Sequence, residues 1–277
     1  DYPRVLDSRG EETMTVSKAG QGKTAIVWSC GHASPDTSNE RFDWLGGLIY
    51  DIKPDYCVDL GDGADMKSLN MYDKAKPKSV VAQNYAGDIE SYNESQSLLR
   101  YRFSKQRRKR PKWYGFEGNH ETRIKTAISY DPRLEGEKYG LSFKHLDTGK
   151  WFDEYHEYTN GAPAIHNYDG VDYAHFVGAG NFGRAISGVH HAFGLLQKRY
   201  SSCSVGHSHK RDMYFKDDVG REGAIGAVVG CYKGAPESWA GQANKEWWKG
   251  VLIKRNIQDG LYEPQWISIN TLRREYG

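Results

Sequence analysis

Five short clusters of residues that could bind metal ions recur along the chain, each at the end of a predicted strand. They are Cys30-Gly31-His32, Gly61-Asp62-Gly63-Ala64-Asp65, Gly118-Asn119-His120-Glu121, the single His175, and Gly206-His207-Ser208-His209. Each glycine lets a strand turn sharply and lets the backbone approach a ligand. Imidazole, carboxylate and amide groups are the mixture of donors that first-row divalent cations bind. The order of the clusters, strand after strand, therefore predicts a metal site.

Strands and helices alternate in the first half of the chain. The residue pattern predicts strands at 24–29, 55–60 and 112–116, and helices at about 38–52 and about 84–109. Tyr92, Leu99 and Phe103 would form the buried stripe of the second helix. Each strand runs into a loop rich in Asp, Asn and His, which favours an α/β fold with its site at the carboxyl ends of the strands.

Strands dominate the second half of the chain. After an irregular, aromatic segment at 130–162, short strands are predicted at 171–176, 202–205, 213–215, 224–229, 250–256 and 265–270. No repeat or low-complexity linker divides the chain, so we expect one domain over 24–277, preceded by a polar leader or trimmed boundary at 1–23. Residues 17–24 (SKAGQGKT) end like a phosphate-binding loop, but they lack its first glycine and precede a strand, so we do not interpret them as one.

Composition excludes several classes of protein. A chain of 277 residues can bury a core without disulfides or structural metal. A net charge of +2 gives no overall field that would attract a polyanion. The longest apolar runs are far shorter than the roughly 20 residues of a membrane helix. The four cysteines are widely spaced, so we expect buried free thiols and a cytoplasmic location.

The clusters resemble the motifs of the calcineurin-like metallophosphoesterases. That superfamily shows DxH, GDxxD, GNH followed by Asp or Glu, a lone His, and GHxH; this chain shows CGH, GDGAD, GNHE, the His of YAHF, and GHSH. The resemblance covers about residues 24–209. It implies a four-layer α-β-β-α sandwich of two mixed sheets and hydrolysis of phosphate esters. The opening CGH and the continuation NHExR look most like the phage and bacterial branch, which would place the protein in the host cytoplasm.

The resemblance also implies a role for each matching residue. Asp62 would bridge two divalent ions (Mn, Zn or Fe), with His32 and His209 on the first ion and Asn119, His175 and His207 on the second. His120 would lie beside the ions as a proton donor, and Arg123 would bind the substrate phosphate. Glu121 is expected to orient His120, and Asp65 to orient a metal ligand.

The chain departs from the family pattern at Cys30, where the family has a ligand aspartate. A thiolate binds Zn or Fe well and Mn poorly, so we expect Cys30 to ligate the first ion. The alternative is a buried thiol, with Asp36 or water in its place.

The lone histidine is also ambiguous. Its assignment to His175 rests on the end of a strand, and His190 and His191 compete from a predicted helix. For His145, His156 and His166, a solvated loop position is the simpler interpretation.

Two further features suggest contacts with nucleic acid. Eight basic residues occupy the stretch Arg100, Arg102, Lys105, Arg107, Arg108, Lys109, Arg110 and Lys112. Arg107, Arg108 and Arg110 would track a phosphate backbone, although a solvated helix end explains the run equally well. Trp239, Trp247 and Trp248 could stack bases, or could cap the second sheet.

The sequence thus predicts a dinuclear phosphoesterase that cleaves phosphodiesters of nucleic acid or nucleotides through a metal-bound hydroxide. The alternatives are a phosphomonoesterase acting on nucleotides or phosphoproteins, and a metal-binding nucleic-acid module with impaired catalysis. No membrane contact is expected, and the oligomeric state stays open.

Overall fold

The computed structural model describes residues 5–6, 12–13, 22–70, 84–104, 110–218 and 221–277. Its strands are β1 (Val5–Leu6), β2 (Glu12–Thr13), β3 (Lys23–Trp28), β4 (Tyr56–Asp59), β5 (Lys112–Phe116), β6 (Glu154–His156), β7 (His166–Tyr168), β8 (Val171–Ala174), β9 (Gly178–Ala179), β10 (Arg184–Ala185), β11 (Cys203–Val205), β12 (Arg211–Asp218), β13 (Arg221–Val229), β14 (Gly250–Gln258) and β15 (Leu261–Ser268). Its α-helices are α1 (Glu40–Ile52), α2 (Tyr85–Ser104), α3 (Thr122–Tyr130), α4 (Thr148–Trp151), α5 (His191–Arg199) and α6 (Ile269–Tyr276).

The strands form two main mixed sheets. The first has the order β15-β14-β3-β4-β5-β6, in which β3 to β6 are parallel and the β14–β15 hairpin is antiparallel to β3. The second has the order β12-β13-β11-β8-β7, in which β13, β11 and β8 are parallel. Two small strand pairs, β1–β2 and β9–β10, lie outside these sheets.

Alternation along the strands creates three apolar layers. Ile26 and Trp28 of β3 face α1, α2 and α6 in one core, whereas Ala25 and Val27 face the second sheet in another. The opposite face of the second sheet is covered by α5, whose Leu195 packs with residues of β11 and β13. The predicted four-layer α-β-β-α sandwich is therefore confirmed.

The main errors in the predicted elements lie where apolar periodicity is weak. The expected last strand, 265–270, ends at Ser268, and α6 follows. The Ser268 hydroxyl accepts a hydrogen bond from the Thr271 amide and caps this helix. Leu272 of α6 is buried, and Ile269 and Tyr276 pack against the same core, but a stripe of three residues in an eight-residue helix is too short for the period to be recognised. The expected irregular segment, 130–162, contains β6 and α4.

Among the described residues, no helix is long and apolar enough to cross a membrane. All four cysteines are unpaired and buried, as expected. The proposed boundary between 1–23 and 24–277 stays a prediction.

Lys254 is fully buried among the residues that join the two sheets. Its Nζ donates hydrogen bonds to Ser204 Oγ at 2.7 Å and to the Tyr173 hydroxyl at 3.2 Å. Burial lowers the pKa of Lys254 well below its ordinary value of 10.5. At a pH between the pKa of Lys254 in the folded chain and its pKa in the unfolded chain, the unfolded chain binds a proton that the folded chain does not. In this range Lys254 makes the free energy of unfolding rise with pH.

We expect Lys254→Met to remove that pH dependence. From about pH 7 to about pH 9.5, the free energy of unfolding of the wild type should rise relative to the variant, by at most about 1.4 kcal/mol per pH unit. Urea unfolding of both proteins at several pH values measures the difference. Parallel pH profiles would show that Lys254 titrates normally in the folded protein.

Candidate metal centre

Five loops meet at one edge of the two packed sheets. The loops follow β3, β4 and β5 of the first sheet and β8 and β11 of the second. These strands are parallel within each sheet, so their carboxyl ends lie on the same side and bring the loops together. The sheets are joined directly at this edge, where His175 Nδ1 lies 2.7 Å from the Leu60 carbonyl oxygen. The fold thus brings all five predicted motifs together.

The first group of ligand atoms comprises those of Cys30, His32 and His209. All three side chains are buried, and their sulfur and nitrogen atoms lie within 4.8 Å of one another. His32 Nε2 is 3.2 Å from His209 Nε2. His32 Nδ1 lies 2.9 Å from Asp65 Oδ1, so the carboxylate holds the proton on Nδ1 and leaves the Nε2 lone pair directed at His209.

The second group comprises the ligand atoms of Asn119, His175 and His207. Asn119 Oδ1 lies 3.0 Å from His175 Nε2 and 2.8 Å from His207 Nδ1. The two ring nitrogens are 3.2 Å apart. These atoms therefore surround one small volume.

Asp62 lies between the two groups. Its Oδ1 accepts a hydrogen bond from the His120 amide at 2.9 Å, which leaves Oδ2 3.2 Å from His175 Nε2 and 4.0 Å from His32 Nε2. Burial opposes ionisation of Asp62, but the imidazoles of His175 and His120 outweigh burial and hold its pKa well below the usual range. A charged oxygen thus faces both groups.

This set of donors fits divalent cations. A carbonyl oxygen can only accept, so one proton of His175 lies on Nδ1, and its Nε2 faces the Asp62 oxygen. Burial lowers the pKa of His175, but the Asp62 carboxylate outweighs burial and raises it, so Nε2 readily binds a second proton or a cation. Burial lowers the pKa of His207 to about 4 and that of His209 to about 3, so both rings are neutral. Facing lone pairs at these distances repel unless a proton or a cation lies between them, and a divalent cation satisfies several at once.

The backbone at the site is strained. Five predicted ligands have left-handed φ angles of +46° to +62°: Cys30, His32, Asp62, His207 and His209. A non-glycine residue in this region costs about 1–2 kcal/mol. The concentration of such residues here shows that the loops are shaped to aim side chains rather than for stability alone.

Asp65 and Glu121 support the loops, but not entirely as predicted. Asp65 orients His32, as expected, and His120 Nδ1 also lies 3.0 Å from the same Asp65 oxygen. Glu121 was expected to orient His120; instead its carboxylate accepts hydrogen bonds from the amides of Asp62, Ala64 and Gly118. Burial raises the pKa of Glu121 to about 8. Glu121 thus joins two of the ligand loops.

Arg41 is a supporting residue that sequence reasoning missed. Its guanidinium is buried on α1 and donates to the carbonyls of Gly31, His32, Tyr232 and Ser38. It thereby fixes the loop that carries the first group. Its position in an amphipathic helix gives no sign of this role.

His120 and Arg123 lie beside the cluster. His120 Nδ1 is 2.7 Å from the Asp65 carbonyl oxygen, and its Nε2 is 3.2 Å from Arg123 Nη2. Arg123 Nη1 donates to the carbonyls of Asp65 and Met66. Both side chains are partly exposed, so a ligand could reach them from solvent.

No family model and no curated protein matches the chain. Three solved structures align over most of it. One is a conserved uncharacterised protein from Streptococcus pneumoniae TIGR4, described as a predicted phosphoesterase, with 10% identity, 90% of each chain covered and a TM-score of 0.36. Another is the phosphoesterase YfcE from E. coli, with 11% identity, 89% of this chain and 100% of that one covered and a TM-score of 0.36. The third is a cold-active protein-tyrosine phosphatase of a psychrophilic Shewanella species, with 12% identity, 95% of this chain and 90% of that one covered and a TM-score of 0.37. These low TM-scores assign no function.

Arg110 lies at the opposite end of β5 from the cluster. It precedes β5, whereas Asn119 follows it, so a strand of five residues, about 16 Å long, separates Arg110 from the site. Arg110 pairs with Asp153 at 2.8 Å. Arg100 is packed over the Trp113 ring at 4.2 Å. Substrate binding by Arg110 stays a prediction, and it requires a substrate long enough to span that distance. Arg107 and Arg108 lie outside the described residues.

The competing ligands lie elsewhere. Asp36 is exposed and pairs with Lys67 at 3.4 Å. His190 is exposed, and His191 contacts Ser208 rather than either group. His145, which was expected to be a solvated loop residue, forms a hydrogen bond with the Tyr85 hydroxyl.

His156 and His166 are not loop residues as expected. They lie on β6 and β7, and their rings stack at 4.3 Å across the edges of the two sheets.

Aromatic rings flank the cluster on two sides. The ring centroid of Trp247 lies 4.5 Å from that of His209. The ring centroid of Phe176, which sequence reasoning missed, lies 5.0 Å from that of His207. Trp248 instead packs against Trp266 at 5.1 Å, away from the ligands. The side chain of Trp239 lies outside the described part of the chain.

Gly206 tests whether the loops are packed as described. A Cβ at this position would lie 1.7 Å from Ser29 Oγ and 2.4 Å from Ser29 Cβ. We expect Gly206→Ala to lower the free energy of unfolding by about 2–3 kcal/mol. Gly149→Ala is the matched control because its Cβ meets nothing within 4 Å, and it should be neutral or stabilising by up to about 1 kcal/mol. Equal stabilities of the two variants in urea would contradict the packing.

Proposed function

We propose that this chain is a metal-dependent phosphoesterase of the calcineurin-like superfamily, and that it hydrolyses phosphodiesters of nucleic acids or nucleotides with two divalent ions. The main support is the convergence of four imidazole nitrogens, the Asp62 carboxylate and the Asn119 amide oxygen at the ends of five strands. The motif resemblance and the four-layer fold agree with this function.

Each ion would have its own set of ligands. Cys30, His32 and His209 would hold one ion, Asn119, His175 and His207 the other, and Asp62 both. When bound, two such ions lower the pKa of a water molecule and neutralise negative charge on a phosphate. The protein holds these ligands on strained, hydrogen-bonded loops, so little reorganisation is needed during the reaction.

His120 is the residue we assign to proton transfer. Its Nδ1 is fixed by Asp65, which directs Nε2 to the side where Arg123 lies. Arg123 can only donate, so it donates to Nε2 in this arrangement. Once Arg123 binds the substrate phosphate instead, Nε2 would be free to carry the proton that passes to the leaving oxygen of the ester.

Arg123 is the residue we assign to substrate binding. Its guanidinium already donates to two carbonyls and contacts His120, so its position is fixed before a substrate arrives. A guanidinium binds phosphate oxygens through paired hydrogen bonds. Arg123 would thus hold the phosphate against the atom that protonates the leaving group.

The substrate class is tested by comparing bis-p-nitrophenyl phosphate with p-nitrophenyl phosphate in the presence of Mn²⁺, Zn²⁺ or Fe²⁺. We expect faster hydrolysis of the diester, followed by cleavage of labelled single-stranded or duplex DNA. Preference for the monoester would replace the diesterase with a phosphomonoesterase. Hydrolysis of neither by metal-loaded protein, with salt-sensitive DNA binding, would indicate a binding module.

His120→Ala should lower the rate of hydrolysis about 10²–10⁴-fold, because a positioned proton donor contributes that much. Its metal content should be unchanged, since His120 lies beside the groups. His190→Ala, at an exposed position, is the control and should retain the wild-type rate. A His120→Ala variant with the full rate, or one that loses its metal, would contradict the assigned role.

A further inference from the structure

The Cys30 sulfur lies next to both groups of ligand atoms. Cys30 Sγ is within 4.8 Å of the ligand nitrogens of His32 and His209, and it forms a second such set with the ligand atoms of Asp62 and His175. The side chain is completely buried. A metal–sulfur bond is about 2.3 Å long and a metal–nitrogen bond about 2.0–2.1 Å, so a sulfur and a nitrogen on one ion lie within about 4.4 Å of each other. The 4.8 Å that bounds both sets is close to that distance, which places the sulfur near an ion in either group.

Burial and the charge of Asp62 raise the pKa of the Cys30 thiol well above its ordinary value, so a thiolate here needs both hydrogen-bond donors and a bound cation. The backbone amide of His207 is directed at the sulfur and can only donate. Ser29 Oγ lies 3.0 Å away and can donate a second hydrogen bond. Gly206 keeps this pocket open, because a side chain there would displace Ser29. Thiolates are stabilised by such donors together with a nearby cation.

We propose that the Cys30 thiolate ligates both ions rather than the first ion alone, and thereby makes the centre selective for thiophilic cations such as Zn²⁺, Co²⁺ and Fe²⁺ over Mn²⁺ and Mg²⁺. This inference rests on the two-ion centre of the proposed function. On binding, the thiol proton passes to solvent and sulfur donates electron pairs to the ions, with no change of oxidation state. Sulfur is a soft ligand and Mn²⁺ a hard ion, so the selectivity follows from the donor atom.

Titration with Co²⁺ tests the shared sulfur, because thiolate-to-cobalt charge transfer absorbs in the near ultraviolet. The full chain, stripped with a chelator, should gain this band through two equivalents of Co²⁺. Cys30→Ser should lack the band but keep the visible absorption of Co²⁺ held by histidines. Cys203→Ser is the control, since Cys203 is buried in the core beneath α5, and it should retain the band.

Three results would overturn the proposal. Two bound Co²⁺ ions without the band exclude sulfur as a ligand, whereas a band complete at one equivalent shows that sulfur contacts only one ion. Both leave the phosphoesterase function intact, because hydrolysis can be measured separately. Failure to bind Co²⁺ at all would contradict the metal centre itself.

Metal competition tests the selectivity. After dialysis against equal concentrations of Zn²⁺ and Mn²⁺, the ratio of retained Zn²⁺ to Mn²⁺ should be at least about tenfold higher in the wild type than in Cys30→Asp, because carboxylate is the harder ligand. Elemental analysis gives both ratios. Equal ratios would show that the sulfur does not set the choice of metal.

Discussion

Lone pairs that face one another inside the protein are the constraint on which the rest of the site depends. Nitrogen atoms of four histidines and oxygen atoms of Asp62 and Asn119 approach within 2.8–4.0 Å of their neighbours. Removed from water, such atoms raise the free energy of the folded state unless protons or cations lie between them. The site is therefore arranged for cations, and the surrounding structure maintains that arrangement.

Several features of the fold that lower its stability serve to hold this arrangement. Left-handed backbone at five ligands, a buried Glu121 carboxylate and a buried Arg41 guanidinium each oppose stability when considered alone. Together they hold three loops of the first sheet in place, Glu121 through backbone amides and Arg41 through backbone carbonyls. Bound ions would repay part of this cost, because they stabilise only the folded chain.

The convergence of the motifs could be predicted from the sequence because each motif lies within a few residues of a strand end. Parallel strands bring such distant motifs to one edge of a sheet, whatever the conformation of the connecting loops. The position of Arg110 follows from the same rule, because a residue that precedes a strand lies at the opposite edge from one that follows it.

The role of Glu121 could not be obtained from the sequence. Adjacent side chains at the start of a helix point about 100° apart, so Glu121 turns away from His120 and toward the backbone of the neighbouring loop. Asp65 takes its place from a loop some fifty residues earlier. Such contacts depend on tertiary packing, as do those of Arg41 and Phe176.

Anomalous diffraction from crystals of the full chain grown with Zn²⁺ tests the central claim most directly. We expect two peaks about 3.5–4 Å apart on either side of Asp62 Oδ2, each within bonding distance of histidine nitrogens. Density without a peak in contact with Asp62, or with zinc only at surface histidines, would contradict the assignment of this cluster as a dinuclear metal centre.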